Sequence, residues 1–101
     1  MAIAEVSIIP LGTKSPSVSR YLAKALKTLR QEKNIKYEIT SMGTIMEGDL
    51  GEILRVVKNM HENTFDTDVM RVLTTVKIDD RRDKPLSIND KVESLLKKLG
   101  E

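Results

Sequence analysis

From Ala2 to Ile9 the chain alternates, with Ala4, Val6 and Ile8 on one side and Glu5 and Ser7 on the other. A period of two predicts a strand. Pro10-Leu11-Gly12 should end it, because proline lacks a ladder donor and glycine permits a turn. Ser15-Pro16 reads as an N-cap with proline at the first helical position, opening a helix that runs to Lys33. Val18, Leu22, Ala25, Leu26 and Leu29 form its apolar stripe, with Arg20, Lys24, Lys27 and Arg30 opposite. Tyr37–Met42 predicts a short strand, Gly43 a tight connection, and Gly43–Gly48 its antiparallel partner. Asp49-Leu-Gly-Glu52 is a capping box. It opens a helix with Leu50, Ile53, Leu54, Val57 and Met60 inward and Arg55, Lys58, Asn59 and Glu62 outward. Val69–Asp79 is the longest β-rich run, followed by a charged loop to Pro85. A second capping pattern, Ser87–Asp90, opens a last helix with Ile88, Val92, Leu95, Leu96 and Leu99 inward.

The order βαββαβ plus a terminal helix, with short right-handed connections, packs most simply in one way. That packing is an α+β, ferredoxin-like sandwich: a four-stranded antiparallel sheet with helices on one face, and a C-terminal helix beyond it. The 101 residues suit one such domain over 1–101.

Composition then removes function classes. With no cysteine, disulfides, thiol catalysis and cysteine-ligated metals are out. The aromatic residues are Tyr21, Tyr37 and Phe65 alone, too few for base-stacking platforms or aromatic cages. Charge is nearly balanced, at +2. No apolar run reaches the roughly 20 residues that span a bilayer. Glu5 interrupts the short apolar start, so no signal-peptide pattern is present; a cytoplasmic protein without a membrane partner is expected.

With Val72, Val76 and Ile78 against the helices, Arg71, Leu73, Thr75 and Lys77 face away, as do Ile3, Glu5, Ser7 and Ile9. This mixture of apolar and charged groups suits sheet-to-sheet self-association, with Glu5, Arg71, Leu73 and Lys77 at the interface. The terminal helix either folds over that face or docks on a neighbour.

Most motifs resolve to structure. Gly43-x-x-x-x-Gly48 is half of a phosphate-binding loop, but Asp49-Leu50 stands where lysine and serine or threonine are needed. His61 lacks the second histidine of a zinc site and reads as a packed helix residue. Asp79, Asp80 and Asp83 sit among Arg81 and Arg82, which reads as a charge-paired loop. The basic stripe of the first helix reads as a solvated face, since the first and third strands carry no aromatic for stacking RNA bases. No nucleophile and base stand at a catalytic spacing, so a non-enzymatic protein without metal or cofactor is expected.

Glu47 differs, because a carboxylate inside a strand is unfavourable unless paired or functional. With Thr44 it offers an anionic acceptor and a hydroxyl suited to a cationic or amino-bearing ring. Ser15, Ser17 and Ser19 at the first helix start add hydroxyls and helix-terminus amides. The alternative is an N-cap with surface serines, and a Glu47 ion pair with Arg71 or Lys77.

These segments resemble a known family. Pro10-Leu-Gly12, the serine-rich helix start through Tyr21, Met42-Gly-Thr-Ile-Met-Glu-Gly48 and Arg71–Asp79 continuing to Arg82-Asp-Lys84 occur in the order of the small thiamine-binding-protein-like family. The resemblance implies a non-enzymatic domain binding thiamine or its hydroxymethylpyrimidine half. It also implies sheet-to-sheet dimers that pair into tetramers. It places Thr44 and Glu47 on an aminopyrimidine, with Ser17 and Ser19 adding polar contacts. The competing reading is a structural or regulatory homo-oligomer with no ligand of its own.

Overall fold

The computed structural model describes residues 1–13, 19–84 and 87–100. Its elements are β1 (Ala2–Leu11), α1 (Ser19–Arg30), β2 (Lys36–Thr40), β3 (Gly43–Gly48), α2 (Leu50–Thr64), β4 (Arg71–Asp80) and α3 (Ile88–Lys98). The strands form one sheet in the order β2-β3-β1-β4, and every neighbouring pair is antiparallel. This is the expected ferredoxin-like α+β architecture.

The alternation in β1 sets the layers. Ala2, Ala4, Val6 and Ile8 are buried under α1 and α2, together with Met46 of β3. The helices contribute Ala25, Leu29, Ile53, Val56, Val57 and Met60 to this core. Val72 and Val76 of β4 pack against its edge. The register Ala4↔Met46 and Ala4↔Ile78 carries the same face across the sheet.

Several boundaries move. β1 continues through Pro10 to Leu11, because only β4 flanks it there: the ladder with β3 ends at Val6↔Thr44, whereas that with β4 runs to Leu11↔Arg71. A strand open on one side tolerates a missing N–H. The predicted start of the first helix at Ser15-Pro16 lies outside the described residues. Its end comes at Arg30, where Gln31 and Glu32 donate to the Thr28 and Leu29 carbonyls in a tightened last turn. The hairpin turn is Ser41-Met42 rather than Gly43. The Thr40 hydroxyl closes it, accepting from the Met42 N–H and donating to the Gly43 carbonyl. Gly43 begins β3 at φ +156°, where a Cβ would lie 2.7 Å from the Val6 carbonyl oxygen.

Asp49 caps α2 as expected, accepting from the Gly51 and Glu52 N–H groups. Within α2 the buried stripe is Ile53, Val56, Val57, Met60 and Thr64. Leu54 therefore points outward, and Val56 is the core residue the sequence reading missed. The larger correction concerns α3. Ser87 caps it, but none of its residues is buried; Val92, Leu95, Leu96 and Leu99 are exposed. The stripe expected to face inward is not buried against any of the described residues.

Candidate functional site

The Met42–Gly48 segment spreads its residues over two sides of β3. Thr44 lies opposite Val6, which faces the helices; Glu47 lies opposite Ile3, which faces the open side. A spacing of three puts two strand residues on opposite faces. Thr44 and Glu47 are thus not brought together, and the spacing itself carried that signal. Of the serines, Ser19 is exposed at the start of α1, and Ser17 lies outside the described residues.

Glu47 is nearly fully buried, at 4% exposure. Its Oε1 accepts from the Ile88 N–H at 3.0 Å. The carboxylate thus satisfies an orphan donor at the N-terminus of α3, where the helix dipole favours negative charge. Among the described residues Glu47 makes no ion pair with Arg71 or Lys77, the structural role the sequence offered for it. Lys77 instead reaches Glu5, its neighbour across the β1–β4 ladder, at 3.9 Å. Glu5, Arg71, Leu73 and Lys77 all stand exposed on the open face.

Thr44 is buried, and lines a cavity of about 320 Å³ between α1 and the sheet. Leu22, Ala25 and Leu26 of α1 form one wall and Met60 of α2 closes the end. The hairpin residues Thr40 to Thr44 form the other wall, and Val6 to Ile9 the floor. The floor is where β1 loses its β3 partner. Val6 turns its carbonyl toward Gly43, so by the two-residue period Ile8 presents its main-chain N–H and carbonyl to the same side. That side is past the last β1–β3 pair, in the notch. An amide edge, a hydroxyl and apolar walls thus converge. Residue chemistry did not single out Ile8, since its contribution is main chain. Pro10 was the available hint, a strand proline marking an unpaired edge.

The remaining polar clusters pair among themselves. Arg81 donates to Asp83, pushing that carboxyl down to about 2. Arg82 pairs with Asp80, and Lys91 with Asp79. Among the described residues no group of three or more His, Asp or Glu is placed to hold a metal ion. His61 packs edge-on against Phe65 and shares a hydrogen bond with the Thr74 hydroxyl. The sequence reading missed Tyr21, a buried residue of α1 whose hydroxyl donates to Asp68 at 2.6 Å. No helix among the described residues is long and apolar enough to cross a membrane.

Fold and cavity define a ferredoxin-like domain with a small-molecule-sized pocket. The Thiamine-binding protein family matches residues 4–96, and the chain belongs to it. It is 46% identical to the UPF0045 protein YqgV of Bacillus subtilis, over 98% of each chain. It is 47% identical to a UPF0045 protein of Methanothermobacter thermautotrophicus, over 98% of this chain and all of that one. Among solved structures, hypothetical protein MJ1052 of Methanocaldococcus jannaschii superposes with a TM-score of 0.84 at 44% identity, covering 93% of this chain and 94% of that one. A Thermotoga maritima protein whose name links it to thiamine biosynthesis or salvage shares the fold, with a TM-score of 0.76 at 19% identity over 93% and 97%.

Proposed function

We propose that this protein is a non-enzymatic binding domain for thiamine or its hydroxymethylpyrimidine half. The observation that carries this reading is the cavity under α1, with the Thr44 hydroxyl in its wall and the Ile8 amide edge in its floor. Its volume of about 320 Å³ stands at the small end of ligand pockets. An aminopyrimidine presents an amino donor beside a ring-nitrogen acceptor. Ile8 offers the complementary carbonyl and N–H, and Thr44 offers a hydroxyl that donates or accepts. Leu22, Leu26 and Met60 supply apolar walls for the ring faces. Family membership supports the same ligand class. Glu47 stands outside this site and holds α3.

Calorimetric titration with thiamine and with hydroxymethylpyrimidine tests the reading, with an unrelated heterocyclic cation as control. Saturable heat for either ligand and none for the control is expected. Thr44→Val should weaken binding about five- to tenfold, as loss of one hydrogen bond of about 1 kcal/mol implies, while Glu47→Gln leaves it unchanged. A folded protein that gives no heat with either ligand overturns the assignment. A loss confined to Glu47→Gln moves the site to the open side of the sheet.

A further inference from the structure

One flank of α1 is fastened by polar bonds and another stands over empty space. Successive helical residues are turned by about 100°, so Tyr21, Lys24 and Thr28 fall within a sector of about 60°. Each is tied to α2 or to the loop that follows it. The Tyr21 hydroxyl donates to Asp68 at 2.6 Å, Lys24 reaches Asp66 at 4.0 Å, and Thr28 accepts from the Asn63 amide at 2.7 Å. The next sector holds Ala25 and Leu29, both buried in the core. Leu22 and Leu26 follow, about 100–140° round from Tyr21, and stand half-buried above the sheet. Leu22 and Leu26 are the cavity wall. Around its axis the helix thus passes from a polar seam, through a core contact, to a wall with a void beneath it.

The seam ends on a rigid post. Asp66 and Val69 exchange both main-chain hydrogen bonds, at 3.3 and 3.1 Å, and the Asp66 carboxylate accepts from the Thr67 N–H. Val69 is fully buried, which roots this turn in the molecule. Asp68 projects from the turn to Tyr21. Arg20 closes the cluster: its guanidinium donates to the Tyr21 hydroxyl and to Asp68, and lies 4.8 Å from the centre of the Tyr21 ring. The Tyr21 hydroxyl therefore sits between a cation that donates and an anion that accepts, and such charge-assisted bonds are stronger than neutral ones.

Resting on the reading of the cavity as the ligand site, we propose that Tyr21 is a positioning residue for that site. Its bond to Asp68 pins α1 at the level of Leu22, and α1 turns about the pinned seam to admit and release the ligand. A turn about the seam leaves the polar bonds near the axis. It parts Leu22 and Leu26 from the hairpin residues across the cavity, and side chains above a void have few contacts to lose. Tyr21 sets the wall from another flank of the helix, without itself lining the cavity.

Stopped-flow binding and amide hydrogen exchange on the intact protein test this. Tyr21→Phe removes one hydroxyl and keeps the ring. With whichever of thiamine and hydroxymethylpyrimidine binds as the probe, it should release ligand about tenfold faster, as loss of a hydrogen bond to a charged group implies. Adding Tyr21→Phe to Asp68→Ala should make release no faster than Asp68→Ala alone, because the two side chains act as one pin. Arg55→Met cuts the bond to Glu32, beyond the end of α1, and should leave release unchanged although it lowers stability. Hydrogen exchange reads the hinge without ligand: Tyr21→Phe should speed the α1 amides about tenfold and leave those of α2 unchanged. Parent-like release or parent-like α1 exchange in Tyr21→Phe overturns the proposal. Release that quickens equally in Arg55→Met overturns it too, because general destabilisation then suffices. If the parent binds neither ligand, the ligand assignment falls and exchange alone decides the hinge: faster exchange confined to α1 supports it, and unchanged exchange overturns it.

Discussion

The two faces of the sheet solve opposite problems with the same strands. On the helix side, Ala2, Ala4, Val6 and Met46 are sealed under α1 and α2, and the polar atoms present are few. On the other side, Ile9, Leu73 and the charged pair Glu5–Lys77 stand in solvent, crossed at one end by a helix with no buried residue. Burial of apolar area stabilises the first face; the second contributes little until something covers it. One strand, β3, serves both. Met46 is core, Thr44 lines the cavity, and Glu47 reaches through to the second face to hold α3.

The contrast can be broken by substitution. Met46→Ala should cost about 2–5 kcal/mol in urea unfolding, as large-to-small changes in a closed core do. Lys77→Ala, on the open face, should stay within about 0.5 kcal/mol, because its ion pair with Glu5 is long and exposed. Equal losses would mean that the open face is as fully packed as the core. Gly43→Ala comes next, at about 1–3 kcal/mol, because the new methyl meets the Val6 carbonyl at the cavity floor in a backbone conformation that side chains rarely adopt. It should also lower ligand affinity in calorimetry. Asp49→Ala should cost about 1 kcal/mol by leaving the first α2 amides uncapped.

The smallest effect lies on the outer surface of the helical layer and depends on pH. The Glu32 carboxyl is held below its ordinary value near 4.5 by the hydrogen bond from Arg55. A carboxyl lowered in the folded state adds stability in full above that ordinary value and loses it as pH falls through the lower folded one. Arg55→Met should therefore melt below the parent at neutral pH, and the gap should close as the solution is acidified below about 4.5. A gap that widens on acidification would contradict this sign.

Much of the fold was legible because it rests on local rules. Alternation in β1 assigned its two faces correctly, Asp49 announced α2, and the outward set Arg71, Leu73, Thr75 and Lys77 emerged from a period of two. Legibility failed where a residue's role depends on distant chain. The Tyr21–Asp68 bond joins residues 47 positions apart, and no local pattern marks it. The α2 stripe was misplaced at Leu54 and Val56 because both fall near the edge of a helical face, and contact with the sheet decides between them.

The candidate site divides along the same line. By itself the sequence determined the order of the strands, the caps Asp49 and Ser87 and the absence of cysteine chemistry, since each follows from the residues themselves or from neighbours a few positions away. Only the tertiary structure decided that β1 outruns β3 and leaves an amide edge in a cavity. It alone decided that Glu47 meets a helix 41 residues further on, and that α3 projects with its stripe uncovered. Those outcomes depend on strand register and on how layers meet in space, and side-chain periodicity along the chain contains neither.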